Sequence, residues 1–359
     1  MLLEQLELAD FRNYRSSRFR FAGDRVVFTG PNGIGKTNLL ESISFLSILR
    51  SFRTVSGREM VRIGSRGFDL RGRIEKEGGL REELRVTQSL SGRRETFIGP
   101  NRIRRSSEFI REFRTVVFVP EDRNITGGSS SFRRRFFDML ISTLDSGYLT
   151  ALSNYHRALM QRNHALKSPQ CAAAAAAAFE PELAVNAPLI AARRREYAAA
   201  VEEEVNRMLA ARERAEFRIH FRCDYPESAE EYLALLARNR EREMIRSCTG
   251  IGPQLDEFEF FLNGKLLRHY GSTGQIRMIS LLVKLAEFNL VRRSARERVA
   301  VLVDDVTGEL DEENRVRFFE TIADADQLFF TFTEFPALEF FRDAEEIALP
   351  AQSNGGDTE

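Results

Sequence analysis

The chain has 359 residues, 43% of them hydrophobic, with 53 basic side chains against 53 acidic ones. That is enough apolar material for one large or two moderate domains, and the even charge excludes a global positive field, so any nucleic-acid site has to be a local patch. Cys171, Cys223 and Cys248 are too far apart for metal-ligand spacing, and no apolar run approaches the roughly 18 residues of a membrane span. Glu4, Glu7 and Asp10 interrupt the first leucines, which argues against a signal peptide. The expectation is a soluble cytoplasmic protein with reduced thiols.

Residues 3–8 alternate only in part but read as a strand, 10–14 as a turn and 18–21 as a second strand. Arg25–Thr29 is a short buried strand. It runs into Gly30-Pro31-Asn32-Gly33-Ile34-Gly35-Lys36-Thr37, and Asn38 opens an amphipathic helix to about Leu49. The loop fits G-x-x-x-x-G-K-[ST], whose setting between strand and helix favours nucleotide binding over a plain glycine turn. Backbone N–H groups have to wrap a triphosphate, so glycines stand where a Cβ would block approach. The helix N-terminus adds its positive dipole end. Lys36 is placed to reach the β- and γ-phosphates of ATP, the Thr37 hydroxyl to ligate Mg²⁺, and Gly30 to Asn38 as a whole to bind the nucleotide.

Arg50-Ser51-Phe52-Arg53-Thr54 follows, either a contact to nucleotide or DNA or a solvated helix end. Residues 69–74, 83–88, 95–98 and 115–119 predict an antiparallel meander joined to the nucleotide core. Its loop carries Arg102, Arg104 and Arg105, with Arg111 and Arg114 behind. These arginines are candidate contacts to a DNA backbone; the alternative is a solvated charge cluster.

From 130 to 245 the pattern is helical, with almost no strand signal. Leu152, Tyr155, Leu159 and Met160, and Val201, Val205, Met208 and Leu209, form apolar stripes expected in a helical core. Cys171 and the seven alanines after it are low complexity, and Arg193, Arg194 and Arg195 are expected on a solvated face. Strand pattern returns after Gly250: Glu257–Leu262, an Asn263-Gly264 turn and 265–269 predict a hairpin. Gly271-Ser272-Thr273-Gly274-Gln275 then opens a helix. Residues 300–305 form an apolar strand ending in Asp304 and Asp305. A helix over 312–323 and the strand Gln327–Phe332 come next, and the tail from Gln352 is polar and expected to be disordered.

Ligands of open α/β sheets sit beyond the carboxyl ends of strands, where both the glycine loop and the two aspartates fall. Asp304 would hold Mg²⁺ and Asp305 would polarise the attacking water; the alternative is a strand ending in two solvated acids. Ser272, Gly274 and Gln275, about thirty residues ahead of Asp304, complete the order of motifs in ATP-binding-cassette ATPases. In those enzymes this signature touches the ATP held by the other subunit. Gly308-Glu309-Leu310-Asp311 resembles their D-loop.

In detail the chain resembles the RecF family, recombinational-repair ATPases of the structural-maintenance branch of the cassette superfamily. The resemblance rests on residues 8–14, 30–41, 50–54 and 118–122, then Gln161-Arg162-Asn163, Ser272-x-Gly-Gln-x-Arg277, residues 282–287 and Asp304-Asp305-Val306-x-x-Glu309-Leu310-Asp311. It implies an α/β cassette-type P-loop ATPase head, a mixed sheet plus an antiparallel meander, formed by residues 1–122 and 248–359. Residues 123–247 would be an inserted helical lobe. It also implies ATP-dependent homodimerisation, weak DNA-stimulated ATP hydrolysis, and binding to duplex DNA near single-strand gaps on the nucleoid. Partnership with RecR and RecO in loading RecA, within the response to DNA damage, follows from the same resemblance.

Several positions depart from the family pattern. Gln254 and Leu255 stand where it has histidine and arginine, no lid glutamine occupies 120–122, and no switch histidine follows Gln327–Phe332. Thr331 or Thr333 would have to substitute, and slow turnover is expected. A transporter ATPase subunit is the rival reading, but it should carry the switch histidine and has no need of the helical insert. A long-armed structural-maintenance protein fails on length. Two antiparallel helices from this insert reach roughly 70 Å at most, without a heptad pattern.

Overall fold

The computed structural model describes residues 2–54, 56–76, 78–110, 112–167, 172–210, 215–294, 299–306, 308 and 310–350. Arg111, Cys171, Glu309 and the tail from Gln352 lie outside the described residues. The chain divides into two compact units, Met1–Glu121 with Val291–Glu359, and Asp122–Leu290. The resemblance implies a helical lobe ending at 247; the second compact unit runs on to Leu290, and the strand that follows the lobe pairs inside it.

The first unit opens with a hairpin of β1 (Leu2–Phe11) and β2 (Tyr14–Arg20). Next come β3 (Arg25–Thr29), the glycine loop and α1 (Lys36–Ile48). That helix is not amphipathic as expected: every residue from Leu39 to Ile48 is buried, so it is a core helix covered on all sides. Then follow β4 (Gly67–Glu75), β5 (Arg81–Ser89), β6 (Arg94–Ile98), β7 (Asn101–Ile103), α2 (Ser106–Phe109) and β8 (Arg114–Phe118). Six of these strands make one antiparallel sheet in the order β2-β1-β4-β5-β6-β7. The broken alternation of β1 has a local cause. Its register against β4 shifts between Leu3 and Gln5, a bulge at Glu4 that changes the parity of the inward-facing residues. Arg114 is buried at the start of β8, so it is not part of an exposed basic cluster.

The second unit contains α3 (Arg123–Gly127), α4 (Ser130–Leu144), α5 (Ser146–Leu166), α6 (Ala172–Ala177), α7 (Glu180–Ala210), β9 (Phe217–Arg222) and α8 (Ala229–Arg246). β10 (Glu257–Leu262), β11 (Lys265–Leu266), α9 (Leu267–Tyr270) and α10 (Thr273–Ser294) complete the run, the last turn of α10 passing into the first unit. β9 corrects the all-helical expectation for this stretch. Phe217, Ile219 and Phe221 alternate with Arg218, His220 and Arg222, and the strand pairs antiparallel with β10. Asn263 and Gly264 have φ of 50° and 73°, the left-handed pair that a two-residue hairpin turn needs. Beyond Leu266 the second arm of that hairpin is helical rather than extended.

Two further expectations fail in this lobe. Met160 is 66% exposed and does not belong to the core stripe of Leu152, Tyr155 and Leu159. Arg194 is fully buried, not solvated. Its guanidinium lies 2.8 Å from Asp138 and 2.7 Å from Asp256, and it donates to the Pro253 carbonyl at 2.6 Å. Burial pushes the Asp256 carboxyl up to about 6, with Arg194 and Tyr225 opposing. Arg162 is likewise buried, paired with Glu180 at 2.9 Å and Glu243 at 2.7 Å.

The chain returns to the first unit with β12 (Val299–Asp304), α11 (Glu312–Ile322), β13 (Gln327–Phe332) and β14 (Glu345–Ala348). A five-stranded sheet in the order β14-β3-β13-β12-β8 is parallel at every pairing. Parallel and antiparallel pairings are therefore kept in separate sheets, and β8 leaves the meander for the parallel one. All of β12 and the first five residues of β13 are buried, as expected of strands covered on both faces. Among the described residues no helix is long and apolar enough to cross a membrane.

Arg194→Ala would leave Asp138 and Asp256 buried without their cation, a loss of about 3–5 kcal/mol in urea unfolding. The same change at its exposed neighbour Arg195 is expected to stay within about 0.5 kcal/mol.

Candidate nucleotide site

Strand order builds the site. β13 lies between β3 and β12, so the carboxyl ends of all three open onto one edge of the parallel sheet. The glycine loop leaves β3 there, Asp304 ends β12, and Thr331 is paired in register with Asp304. Asn32, Gly33, Gly35, Lys36, Thr37, Asn38, Arg53, Asp304, Asp305, Thr331, Phe332 and Thr333 enclose a cavity of about 310 Å³. Most of the expected loop residues line it. Gly30, Pro31 and Ile34 contribute backbone only: the Gly30 and Pro31 carbonyls accept from Lys36 Nζ at 2.6 and 3.0 Å, and the Ile34 carbonyl accepts from Asn13.

Gly33 and Gly35 are required by the backbone, with φ of 82° and 116°. At Gly35 space is short as well, since a Cβ would come within 2.5 Å of the Asn13 amide. Burial lowers the pKa of Lys36, with Asp304 and Asp305 opposing. Asp305 adopts φ of 51°, a left-handed conformation that aspartate tolerates and that turns the chain as it leaves β12.

Thr37 Oγ1 donates to Asp304 Oδ1 at 3.1 Å, and Thr331 Oγ1 donates to the same oxygen at 2.7 Å. Asp304 is buried, and that burial raises its pKa against the pull of the two hydroxyls. A hydroxyl and a carboxylate side by side are hard oxygen donors. They fit Mg²⁺, which takes one or two protein oxygens and leaves its other positions to water and phosphate. No cluster of three or more His, Cys, Asp or Glu occurs among the described residues to suggest a metal held by protein alone. Thr331, one of two substitutes considered for the missing switch histidine, is committed to Asp304. Thr333 is exposed on the cavity wall, and its carbonyl accepts from Gly30 N at 3.2 Å.

Behind the loop, Asn38, expected at the nucleotide, and Arg53, weighed as a contact to it, join residues that sequence reasoning gave no role at the site, Asn13, Tyr14, Arg12, Glu41 and Ser51. Asn13 Nδ2 donates to the Ile34 carbonyl at 2.9 Å, and Asn38 Nδ2 donates to Asn13 Oδ1 at 2.8 Å. Tyr14 donates its hydroxyl to the Gly35 carbonyl at 3.1 Å, and burial pushes its pKa up to about 12, so it stays a donor. Arg12 forks onto the fully buried Glu41 with two bonds of 2.7 Å, and Ser51 donates to the same carboxylate. Arg53 donates to Asn38 Oδ1 at 2.8 Å, which favours the cavity-facing reading of that arginine over a solvated helix end. The sequence signals for this set were the polar turn at 10–14 and the stretches 30–41 and 50–54 that carry the family resemblance; the approach of that turn to the loop exists only in the fold.

Ser272, Gly274 and Gln275 belong to the second unit and are exposed at the start of α10. Ser272 Oγ accepts from Gln275 N at 3.2 Å, and Gln275 Oε1 accepts from Ser272 N at 3.0 Å, a reciprocal capping box. Gln254, at the position that departs from the family pattern, accepts from the Tyr155 hydroxyl at 2.5 Å inside the helical lobe. Arg102 is 3.0 Å from Glu95, so the basic loop is partly compensated, whereas Arg104 and Arg105 make no side-chain bond among the described residues.

A family model described as the RecF/RecN/SMC N terminal domain matches residues 2–347. Over 355 residues the chain is 32% identical to the DNA replication and repair protein RecF of Streptococcus suis (strain 05ZYH33), covering 97% of each. Over 354 residues it is 33% identical to that of Geobacillus thermodenitrificans (strain NG80-2), covering 94% of each. A solved structure described as the recombination mediator protein RecF-ATP in the RecFOR pathway matches with a TM-score of 0.84 at 26% identity. That match covers 94% of this chain and 93% of the other. The motif order, the head fold and these matches agree: the chain belongs to the RecF family of DNA replication and repair proteins.

Proposed function

We propose that this chain is an ATP-dependent DNA-binding protein of gap repair that dimerises with ATP and hydrolyses it slowly. One observation carries the reading: Thr37, Asp304 and Thr331 meet under a loop of left-handed glycines at the open edge of a parallel sheet. Backbone N–H groups of the loop and Lys36 bind the phosphates, and exchanging the Gly30 and Pro31 carbonyls for phosphate oxygens frees the Lys36 ammonium to do so. Thr37 and Asp304 would hold Mg²⁺, which when bound screens the phosphate charge. Asp305 orients and polarises the water that attacks the γ-phosphate. The missing switch histidine leaves that water weakly held, hence the slow turnover.

Each site is completed by Ser272, Gly274 and Gln275 of a second copy, in an isologous dimer. Two features support this: the capping box is exposed, and it holds Ser272 as an N-cap whose helix terminus attracts phosphate. DNA stimulation, duplex near single-strand gaps as the target, and RecO and RecR as partners in loading RecA complete the reading, in the cytoplasm at the nucleoid. The relatives' description as replication and repair proteins supports these roles, as does the RecFOR pathway named for the solved neighbour. Arg102, Arg104 and Arg105 are proposed DNA contacts, with Arg104 and Arg105 the stronger pair because neither is bonded to an acid.

In sedimentation, ATP should convert the wild-type chain from monomer to dimer, and Asp305→Asn should hold the dimer while turnover falls about 10²–10⁴-fold. A chain that stays monomeric with ATP in both forms refutes the composite site. Ser272→Arg should abolish the dimer yet leave ATP binding to the isolated chain within about twofold, since Ser272 lies outside the chain's own cavity. Neutralising Arg102, Arg104 and Arg105 together should lower the salt slope of DNA binding by about 2 to 3; an unchanged slope removes that loop from the interface.

A further inference from the structure

Antiparallel pairing gathers several chain turns at one end of the six-stranded sheet. β1 ends and β2 begins there at Phe11 and Tyr14, β4 begins at Gly67 opposite Ser89, β6 begins at Arg94 opposite Gln88, and β7 ends at Ile103 opposite Thr96. This end therefore carries Arg58, Arg62 and Arg66 from the segment before β4, and Arg104 and Arg105 from the segment after β7. None of these five side chains makes an ion pair or hydrogen bond among the described residues. The acids at the same end are fewer than these five arginines. Asp10, Glu59 and Glu108 carry no ion pair among the described residues, the first two accepting only from the neutral hydroxyls of Ser65 and Thr54, and Glu95 is shared by Arg93 and Arg102. In a chain of zero net charge this is a local positive field.

The segment from Arg58 to Arg66 forms the tip of that field. Ser65 N donates to the Arg62 carbonyl at 2.9 Å around Gly64, whose φ of 86° is what a type II turn requires at its third residue. The turn projects Ile63, which is 97% exposed, between the arginines. A lone exposed apolar side chain is ordinary; one held at the apex of a hydrogen-bonded turn among unpaired arginines has the composition of a minor-groove wedge, an apolar side chain flanked by basic ones. The turn is also tied to the nucleotide loop. Arg62 N donates to the Asp10 carbonyl and Arg12 N to the Met60 carbonyl, both at 2.8 Å. Arg12 then forks onto Glu41 of α1, and its neighbour Asn13 holds the Ile34 carbonyl.

We propose that the turn from Arg58 to Arg66 grips duplex DNA, its arginines on the phosphates and Ile63 in the minor groove. The contact is transmitted to the phosphate loop through Arg12 and Asn13. This rests on the ATP and DNA reading above and assigns its DNA-sensing element. The test compares wild type, the Arg58→Ala/Arg62→Ala/Arg66→Ala triple variant and Ile63→Ser in duplex binding across a salt series, and in ATP turnover with and without duplex. The triple variant should lose about 2 to 3 from the salt slope and lose the DNA-dependent rise in turnover, with DNA-free turnover retained. Ile63→Ser should bind roughly tenfold more weakly at unchanged slope, because it loses apolar contact and no charge. A triple variant with wild-type slope and wild-type stimulation overturns the proposal while the broader reading stands. A wild-type chain that neither binds duplex nor turns over ATP overturns both.

Discussion

The hydrogen bond from Thr37 to Asp304 joins residues 267 positions apart, and most of the first unit is arranged to make it. It exists only if β3 and β12 run parallel, flank β13 and stop at the same edge. Parallel neighbours cannot be joined by tight turns, so the chain has to travel between them. The longest connection between strands that follow one another in this sheet along the chain, from β8 to β12, contains the second unit. Such non-local closure is slow to form, and the site is complete only when both chain legs of the first unit are in place. A carboxylate buried at that edge is unfavourable alone. The two threonine hydroxyls offset part of the cost, and a cation would offset the rest.

Behind the phosphate loop stands a layer that touches no ligand but determines where the loop sits. Glu41, fully buried on a core helix, is tolerable only because Arg12 forks onto it and Ser51 donates to it. Asn13 and Tyr14 then hold two carbonyls of the loop from the adjacent strand turn. Because the turn from 58 to 66 hydrogen-bonds to that same strand turn, the nucleotide loop and the basic sheet end share one rigid connection. Preorganisation of this kind places donors where phosphate charge has to be met.

The second unit solves a different problem. Its helices lack the sustained heptad pattern of a coiled coil, and buried polar groups lock them together. Arg194 links α7 to Asp138 of α4 and to Asp256 just ahead of β10. Arg162 links α5 to Glu180 and Glu243. Such pairs add little net stability but penalise any other packing of the helices, a specificity role that suits a lobe with few apolar heptads. At the start of α10 the reciprocal cap of Ser272 and Gln275 leaves the exposed helix end ordered rather than frayed.

Local rules were enough for the glycine loop, the buried strands Arg25–Thr29 and Gln327–Phe332, the Asn263-Gly264 turn and the two aspartates. Each depends on a short span of residue types: glycine where φ is positive, apolar runs where both faces are covered, small residues at a helix start. Local reasoning failed where the cause lay outside the window. β9 was hidden because a six-residue alternation in an arginine-rich stretch becomes a strand only with β10 beside it. Arg194 looked solvated because its neighbours Arg193 and Arg195 are, and nothing nearby in sequence announces Asp138 or Asp256. Asn13 and Glu41 lie in stretches that carry the family resemblance, and Thr331 was one of two candidates for the missing histidine, but no local pattern gave their partners; strand order and register bring them to the loop. The sequence by itself determined which chemistry the chain can perform, because phosphate binding needs particular residues at fixed short spacings. Only the tertiary structure decided which distant side chains hold that chemistry in place, because sheet topology and burial are properties of the whole chain.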